Sequence, residues 1–228
     1  MSSFKKGERM KVLITGISRG IGYGLAKYYL EEGAEVYALG RSNPFGDAVR
    51  FYKLDMGAFE KIPHAIEALE IDSLDLAILN AGILGEIKLM KEWSVKELQN
   101  IFDINVWANK VLIDEISPFT EKIVVMSSGA AVNGNPGWGG YSLSKCAVNM
   151  MVSIYSKEID SKIYALAPGV IDTDMVAKVI SGDHSKFPSL DRVEAGRVGL
   201  EEGVKRIVNT IEKLDEFENG SFVDVRLV

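Results

Sequence analysis

The sequence predicts an α/β fold: a single doubly wound domain whose seven-stranded, mostly parallel sheet is flanked by helices. Short apolar runs rich in Val, Ile and Leu alternate with longer stretches of helical period, which is the pattern of repeated βαβ units. Several of these runs lack polar alternation, as strands covered by helices on both faces should. A chain of 228 residues is long enough for one substantial core of this kind.

Seven apolar runs of strand length are predicted to form the sheet. In chain order they are residues 11–15, 35–39, 49–54, 74–79, 122–126, 162–167 and 221–225.

Two helical segments carry clear sequence signals. Ser94-Val95-Lys96-Glu97 has the form of a capping box, so a helix is predicted to begin there and to run, with a break, to Ile116. Near the other end of the chain, apolar residues recur at the i, i+3, i+4, i+7 spacing of one buried face. These residues are Val204, Ile207, Val208, Ile211 and Leu214. The second helix is expected to cover the last strand.

The composition argues against several classes of protein. A net charge of −6 with scattered basic residues lacks the basic surface that nucleic-acid binding requires. The longest apolar stretches have only strand length, so no membrane span is expected. The one cysteine, Cys146, cannot form an intrachain disulfide, and the first ten residues lack the apolar run of a secretory signal. These features predict a cytoplasmic protein with a tail of residues 1–9 and a single domain of residues 10–228.

A glycine-rich turn follows the first predicted strand. It reads Thr15-Gly16-Ile17-Ser18-Arg19-Gly20-Ile21-Gly22 and precedes a helical stretch, residues 23–32. Glycines allow a backbone to approach a diphosphate closely, and the start of a helix offers unpaired N–H groups and partial positive charge. Strand, glycine turn and helix together predict a dinucleotide site. The alternative is a tight turn that only allows close helix packing.

The residues after the second predicted strand distinguish the two nicotinamide cofactors. An acid there would bind the ribose 2′-hydroxyl of NAD, whereas an arginine would bind the 2′-phosphate of NADP. No acid ends the strand; Arg41 follows it, and Arg19 lies within the glycine turn. Two guanidinium groups able to bind one phosphate predict NADP(H). The alternative is that both arginines are ordinary solvated side chains.

Tyr141 and Lys145 are one helical turn apart, so on a helix their side chains share a face. A nearby ammonium stabilises the phenolate and would lower the pKa of the tyrosine from about 10 toward about 7. Such a tyrosine could donate the proton when a nicotinamide reduces a carbonyl group. Taken alone, the same spacing also describes an ordinary surface pair.

Together these segments resemble the short-chain dehydrogenase/reductase family. Its signatures T-G-x-x-x-G-I-G, N-A-G and Y-x-x-x-K are matched by residues 15–22, 80–82 and 141–145. Ser128 lies at the family's spacing before Tyr141, and Pro168-Gly169 with Thr173 resembles its segment after the sixth strand. The resemblance implies a Rossmann-type fold and hydride transfer between a nicotinamide cofactor, here predicted to be NADP(H), and a carbonyl or secondary alcohol.

The resemblance also implies roles for individual residues. Tyr141 would be the general acid and base, and Lys145 would support it and bind the nicotinamide ribose. Ser128 would orient the substrate carbonyl, Asn105 would hold a water that links the lysine to solvent, and Asp55 would lie near the adenine. The implied cofactor-binding residues are Gly16, Ser18, Arg19, Gly20, Ile21, Gly22, Arg41, Asp55, Met56, Asn80, Ala81, Gly82, Tyr141, Lys145, Pro168, Gly169, Val170, Ile171 and Thr173.

Several side chains have competing interpretations. Ser127 competes with Ser128 for the serine role, and because neighbouring residues of a strand point to opposite faces, a structure should separate them. His64 and His184 have no Cys or carboxylate at ligand spacing, so no metal site is predicted. Trp138 is either a wall of the substrate pocket or a partly buried loop residue.

Residues 127–130, with Gly137-Trp138 ahead of Tyr141, are locally similar to sepiapterin and benzil reductases of the family. This similarity implies a diketone or a pteridine-type carbonyl as substrate. Two features depart from the family: the segment after Thr173, where the substrate lid is expected, is short, and Ala131 stands where a glycine is common.

The family resemblance further implies a homodimer or homotetramer built on the helices that contain Asn105 and Tyr141. Two other functions are compatible with parts of the pattern. One is a non-catalytic, NADP(H)-binding regulator that senses redox state, against which the intact Tyr141 and Lys145 argue. The other is an epimerase or dehydratase, which would need a longer C-terminal substrate region.

Overall fold

A parallel sheet organises the computed structural model, which describes residues 9–228. In that part of the chain seven strands pair in the order β3-β2-β1-β4-β5-β6-β7, and every neighbouring pair runs parallel. The strands are β1 (Lys11–Thr15), β2 (Glu35–Gly40), β3 (Val49–Lys53), β4 (Leu74–Leu79), β5 (Thr120–Met126), β6 (Lys162–Ala167) and β7 (Phe222–Asp224). The seven predicted strands are confirmed, with ends that differ by no more than two residues.

Helices cover both faces of the sheet. They are α1 (Gly20–Glu31), α2 (Ile62–Ala68), α3 (Val95–Phe102), α4 (Ala108–Ile116), α5 (Gly139–Tyr155), α6 (Asp174–Ile180), α7 (Ser189–Ala195) and α8 (Leu200–Glu212). Short 3₁₀ turns lie at Gly46–Ala48, Phe59–Lys61, Met90–Glu92, Ser117–Phe119, Gly129–Ala131 and Leu214–Glu216.

The predicted helix from Ser94 begins with the expected capping box. The Ser94 hydroxyl accepts a hydrogen bond from the Glu97 N–H (3.3 Å), and the Glu97 carboxylate accepts one from the Ser94 N–H (2.8 Å). The predicted break is a π-helical turn, Asp103–Trp107, that joins α3 to α4. The helical path therefore widens at Asn105 without being interrupted.

Two apolar cores form on the two faces of the sheet because consecutive strand residues point in opposite directions. Val12 and Ile14 of β1 belong to one core, and Leu13 between them belongs to the other. The first core also contains Ile207 of α8 and Val223 of β7, so the helix and the last strand contribute to the same core.

The winding of the sheet reverses at β1. From β1 the chain continues outward to β2 and β3 and then returns to β4 on the opposite side of β1. Where the strand order reverses in such sheets, a crevice opens outside the carboxyl ends of the strands, and ligands bind there. This crevice lies where β1 leads into the glycine turn and β4 leads into Asn80.

No helix within residues 9–228 combines the length and the apolar composition needed to cross a membrane. Residues 1–8 of the predicted tail lie outside the described residues, so the division into a tail and a single domain stays a prediction.

Candidate active site

A cleft of about 390 Å³ opens at the reversal point of the sheet. Twelve of the predicted cofactor-binding residues line it: Gly16, Ser18, Arg19, Gly20, Ile21, Arg41, Asp55, Met56, Asn80, Ala81, Gly82 and Thr173. Seven others do not line this cleft: Gly22, Tyr141, Lys145, Pro168, Gly169, Val170 and Ile171. The sequence did not single out the remaining lining residues, which are Gly40, Leu54, Ile83, Leu84, Gly85, Ile104, Asp174, Met175 and Lys178.

The glycine turn needs its glycines for two physical reasons. Gly16 and Gly20 have φ angles of +77° and +59°, in the left-handed region that residues with a Cβ disfavour. At Gly22 the reason is space, because a Cβ would lie 2.2 Å from the Gly16 carbonyl oxygen. Helix α1 therefore begins directly against the turn.

Asn80 holds the turn in place from the end of β4. Its Nδ2 donates to the carbonyl oxygens of Thr15 (3.0 Å) and Gly16 (3.3 Å). In return, the Thr15 hydroxyl accepts from the backbone N–H groups of Asn80 (2.9 Å) and Ala81 (3.0 Å). The carboxyl ends of the two strands are thus joined at the floor of the cleft.

The cleft has the chemistry that a dinucleotide diphosphate requires. Arg19 caps α1 without a side-chain hydrogen bond to the helix, so the first N–H groups of α1 are not satisfied by a capping side chain. A Cβ in place of the Gly20 hydrogen would contact Thr173, whose Cγ2 is 3.4 Å from that position, so glycine keeps this part of the cleft open. The residues present therefore fit a nicotinamide dinucleotide.

Three cations and two acids line the cleft. The cations are Arg19, Arg41 and Lys178 of α6, and the role of the two arginines in cofactor binding stays a prediction. Asp174 pairs with Arg19 at 3.1 Å (Nη1 to Oδ2), and Asp55 accepts a hydrogen bond from the Gly57 N–H at 2.9 Å.

Tyr141 and Lys145 share one face of α5. The Lys145 side chain is almost completely buried, with a residue exposure of 4%, and its Nζ donates to the Met126 carbonyl oxygen at 2.7 Å. The same Nζ lies 5.7 Å from the centre of the Tyr141 ring. Burial lowers the pKa of Lys145 to about 8, because a charged amine loses hydration inside the protein. The lysine also lies close to the cleft, since a Cβ on Gly82 would be 3.6 Å from Nζ.

The structure corrects one expectation about Tyr141. Burial raises the pKa of its phenol above the ordinary value, and a hydrogen bond with Ser128 opposes that rise only in part. The sequence argument expected the Lys145 ammonium to lower this pKa toward neutrality, but in the structure burial has the larger effect. In the structure the phenol is therefore protonated at neutral pH.

The two competing serines point in different directions. The Ser127 hydroxyl is buried and donates to Asn149 Oδ1 of α5 at 2.5 Å. The Ser128 hydroxyl accepts from the Ala130 N–H at 3.1 Å and also faces the Tyr141 hydroxyl. Ser128 is thus the serine that shares a site with the tyrosine, although its role stays a prediction.

Asn105 is completely buried on the π-helical turn between α3 and α4. Its Oδ1 accepts from the Ile83 N–H (2.8 Å), and its Nδ2 donates to the Ile83 carbonyl (2.9 Å) and to the Ser144 hydroxyl (3.0 Å). The side chain joins the loop after β4 to α5. The implied role of holding a water stays a prediction, and protein groups occupy both ends of the amide.

The segment after Thr173 forms a cover over Tyr141 from two short helices, α6 and α7. Apolar side chains of this segment pack together with Trp138 and Tyr141. The Trp138 indole N–H donates to the Ser189 hydroxyl of α7 at 2.9 Å, and its ring centre is 6.3 Å from that of Tyr141. Trp138 therefore forms part of the wall beside the tyrosine. The cover is also linked across the cleft by Lys178, whose Nζ donates to the Gly85 carbonyl at 2.8 Å.

The sequence contained a signal for this cover that was missed. Thr173 caps α6 through its hydroxyl, and apolar residues follow at helical spacing. These apolar residues are Val176, Val179 and Ile180.

The predicted absence of a metal site stays a prediction. Across residues 9–228 there is no group of three His, Cys, Asp or Glu side chains that could hold a metal ion. The two nitrogens of His184 contact Asp191 Oδ1 (2.6 Å) and the Ile180 carbonyl (2.8 Å), and these contacts join α6 to α7.

Comparisons with known proteins agree with the geometry. A sequence profile described as short chain dehydrogenase matches residues 10–184. The chain is also similar to benzil reductase ((S)-benzoin forming) of Bacillus cereus, with 28% identity in an alignment of 245 positions that covers 94% of this chain and 98% of the relative.

Two solved structures illustrate the likeness in fold. ElxO with NADP bound matches with a TM-score of 0.79 and 22% identity over 96% of this chain and 97% of that one. 4-Hydroxyisoleucine dehydrogenase complexed with NADH matches with a TM-score of 0.79 and 23% identity over 95% and 96%. The fold therefore occurs with either nicotinamide cofactor.

Proposed function

The chain belongs to the short-chain dehydrogenase family, and on that premise we propose that it is an NADP(H)-dependent oxidoreductase. The proposed reaction transfers hydride between the nicotinamide and a carbonyl or secondary alcohol carbon, with Tyr141 as general acid and base. One observation carries the proposal: Ser128, Tyr141 and Lys145 meet beside the cleft that fits a dinucleotide.

Bound NADPH would supply the hydride. In the direction of reduction, Tyr141 donates its phenolic proton to the oxygen that becomes the alcohol. Burial supports this role because it raises the pKa of the phenol and keeps the proton in place at neutral pH. The Ser128 hydroxyl lies beside the phenol and donates a second hydrogen bond that orients the same oxygen.

Lys145 contributes positive charge near the phenol. With a pKa of about 8, most of the amine is protonated at neutral pH. An ammonium 5.7 Å from the ring stabilises the phenolate that remains after proton transfer. The hydrogen bond to Met126 fixes the ammonium in place.

Arg19 and Arg41 support NADP(H) as the cofactor. Both line the cleft, and no acid follows β2 to bind a ribose 2′-hydroxyl. A guanidinium group is suited to a 2′-phosphate because it offers paired N–H donors and a permanent charge.

The similarity to benzil reductase supports a diketone as the substrate, with a pteridine-type carbonyl as the second candidate. Trp138 and the apolar side chains of α6 and α7 provide a wall suited to a flat or aromatic substituent.

The test is the oxidation of NADPH over a panel of diketones, quinones, aldehydes and pteridines, repeated with NADH. We expect turnover of diketones with a strong preference for NADPH, and a loss of about 1,000-fold or more in Tyr141→Phe, since a general acid contributes about 10²–10⁴-fold. An undiminished rate in Tyr141→Phe would exclude the proposed acid. Tight NADPH binding with no turnover of any carbonyl would favour the redox-sensing alternative.

We further propose a cytoplasmic homodimer or homotetramer that binds a small-molecule substrate and no nucleic acid. Large apolar side chains are exposed on the helical segments that contain Asn105 and Tyr141, on which the resemblance implies assembly: Trp107, Leu143, Met150 and Ile154. A monomer in light scattering at micromolar concentration would contradict the oligomer.

A further inference from the structure

Arg226, two residues beyond the end of β7, lies against the loop that carries Ser128. A Cβ on Gly129 would be 3.2 Å from Arg226 Nη2, so the guanidinium contacts the backbone next to the serine. A Cβ on Gly169 would be 3.5 Å from Arg226 Cγ. The arginine thus bridges the loops that follow β5 and β6, and glycine in each loop provides the space for it.

Asp224 fixes the orientation of this guanidinium. Arg226 Nε and Nη2 donate to the two oxygens of Asp224 at 2.9 and 2.5 Å, and the Arg226 backbone N–H donates to Asp224 Oδ1 at 3.0 Å. Burial raises the pKa of Asp224, but the hydrogen bonds and charge of Arg226 outweigh that effect, so the pKa lies below its ordinary value. Arg226 and Asp224 therefore form an ionised pair with two parallel contacts and a rigid geometry, which we call the fork.

The fork leaves hydrogen-bond donors unused. A guanidinium carries five N–H groups, and Asp224 takes two of them. Within residues 9–228 the guanidinium has no other hydrogen-bond partner, and half of the Arg226 side chain (51%) is exposed. Because Asp224 balances the charge, these donors suit a neutral oxygen acceptor.

We propose that Arg226 binds a second oxygen of the substrate, the other carbonyl of a dicarbonyl compound, while Ser128 and Tyr141 hold the carbonyl that is reduced. This inference rests on the proposed function and names a substrate class for it. Asp224 is the positioning residue, since it orients the guanidinium and does not contact the substrate.

The experiment compares two ketones that differ in one oxygen, benzil and deoxybenzoin, with NADPH as reductant. Arg226→Leu removes the donors, and Arg206→Leu is the control, because Arg206 also forms an ion pair, through one contact, with Glu202 (Nε to Oε1, 2.9 Å) on α8. We expect Arg226→Leu to lower kcat/KM for benzil about tenfold to a hundredfold, mainly through KM. The constants for deoxybenzoin should stay within about twofold, and the Kd for NADPH should not change.

Asp224→Asn provides a second variant that keeps the guanidinium but loosens it. It should lower kcat/KM for benzil by a smaller factor and again spare deoxybenzoin. Phenylglyoxylate extends the test to a substrate whose second oxygen belongs to a carboxylate. If Arg226→Leu loses more activity with phenylglyoxylate than with benzil, the group that Arg226 binds is an anion and not a neutral carbonyl. Circular dichroism monitors folding, and Arg226→Gln replaces Arg226→Leu if the latter does not fold.

Three results would overturn the inference. One is a wild-type enzyme that reduces both ketones equally well. Another is an equal loss for both ketones in Arg226→Leu, which would mean that the fork only maintains the loop after Ser128. The third is an Arg226→Leu variant whose kcat/KM for benzil equals that of the wild type. A wild-type protein inactive on every carbonyl of the panel would instead remove the proposed function itself, so the two failures are distinguishable.

Discussion

Arg19 and Asp174 form an ion pair across the mouth of the cleft, with Arg19 Nη1 at 3.1 Å from Asp174 Oδ2. Arg19 caps α1, and Asp174 is the first residue of α6. Both side chains are largely exposed, so the pair contributes little to stability. Its importance is local: the guanidinium proposed to bind the cofactor phosphate is already partly engaged by a carboxylate of the cover.

Asp174→Asn should therefore tighten NADPH binding. Removing the competing carboxylate releases Arg19 for the 2′-phosphate. Because an exposed ion pair is weak, the Kd for NADPH should fall by up to about fivefold. Fluorescence titration would measure the gain, which should shrink at high salt because exposed charges are screened. An equal gain for NADH would contradict the explanation.

Arg41→Ala tests the choice of cofactor at the second arginine that lines the cleft. We expect kcat/KM with NADPH to fall about tenfold to a hundredfold and the value with NADH to stay constant, since only NADPH carries the 2′-phosphate. Arg50→Ala is the control, because Arg50 pairs with Glu35 and does not line the cleft. Equal losses with both cofactors would rule out a phosphate contact.

Lys145→Met should separate stability from activity. The lysine has a pKa of about 8 in the folded chain and about 10.5 when unfolded, so below pH 8 its buried charge opposes folding. The variant should lose most activity and still gain up to about 3 kcal/mol in the free energy of unfolding at pH 7, measured by urea denaturation. A destabilised variant would show that the bond to Met126 outweighs the cost of burial.

The pH profile of the wild type follows from the same lysine. As pH rises through about 8, the ammonium loses its proton and can no longer stabilise the phenolate, so kcat/KM for reduction should decline on the alkaline side. The free energy of unfolding should change in the opposite sense: the unfolded chain binds more protons between about pH 8 and 10.5, so this lysine's contribution to stability rises across that window. A rate that is constant up to pH 10 would argue against a charged lysine in the reaction.

Gly22→Ala tests the glycine turn. A Cβ there overlaps the Gly16 carbonyl, so we expect a loss of about 1–3 kcal/mol in the free energy of unfolding, together with weaker cofactor binding. Gly134→Ala is the control, since nothing lies within 4 Å of its Cβ position. Thermal melts with and without NADPH would compare the two, and a Gly22→Ala protein that behaves like the control would show that the turn can relax.

Local patterns were sufficient to predict the strands, the capping box at Ser94 and the spacing of Tyr141 and Lys145. They could not predict the electrostatics around Tyr141. The pKa of its phenol depends on burial beneath α6 and α7 and on the hydrogen bond with Ser128, which follows β5. The two helices are distant from Tyr141 in sequence, so only the packed structure could identify them.

By itself the sequence determined the doubly wound sheet, the glycine turn and the choice of motif residues, because hydrophobic period, glycine conformation and helical spacing act within a few residues. The tertiary structure alone decided which serine faces Tyr141, that Arg19 pairs with Asp174, and that Arg226 reaches the loop beside Ser128. Each of these depends on strands that end together at one edge of the sheet, where hydrogen bonds and charges join residues from different parts of the chain.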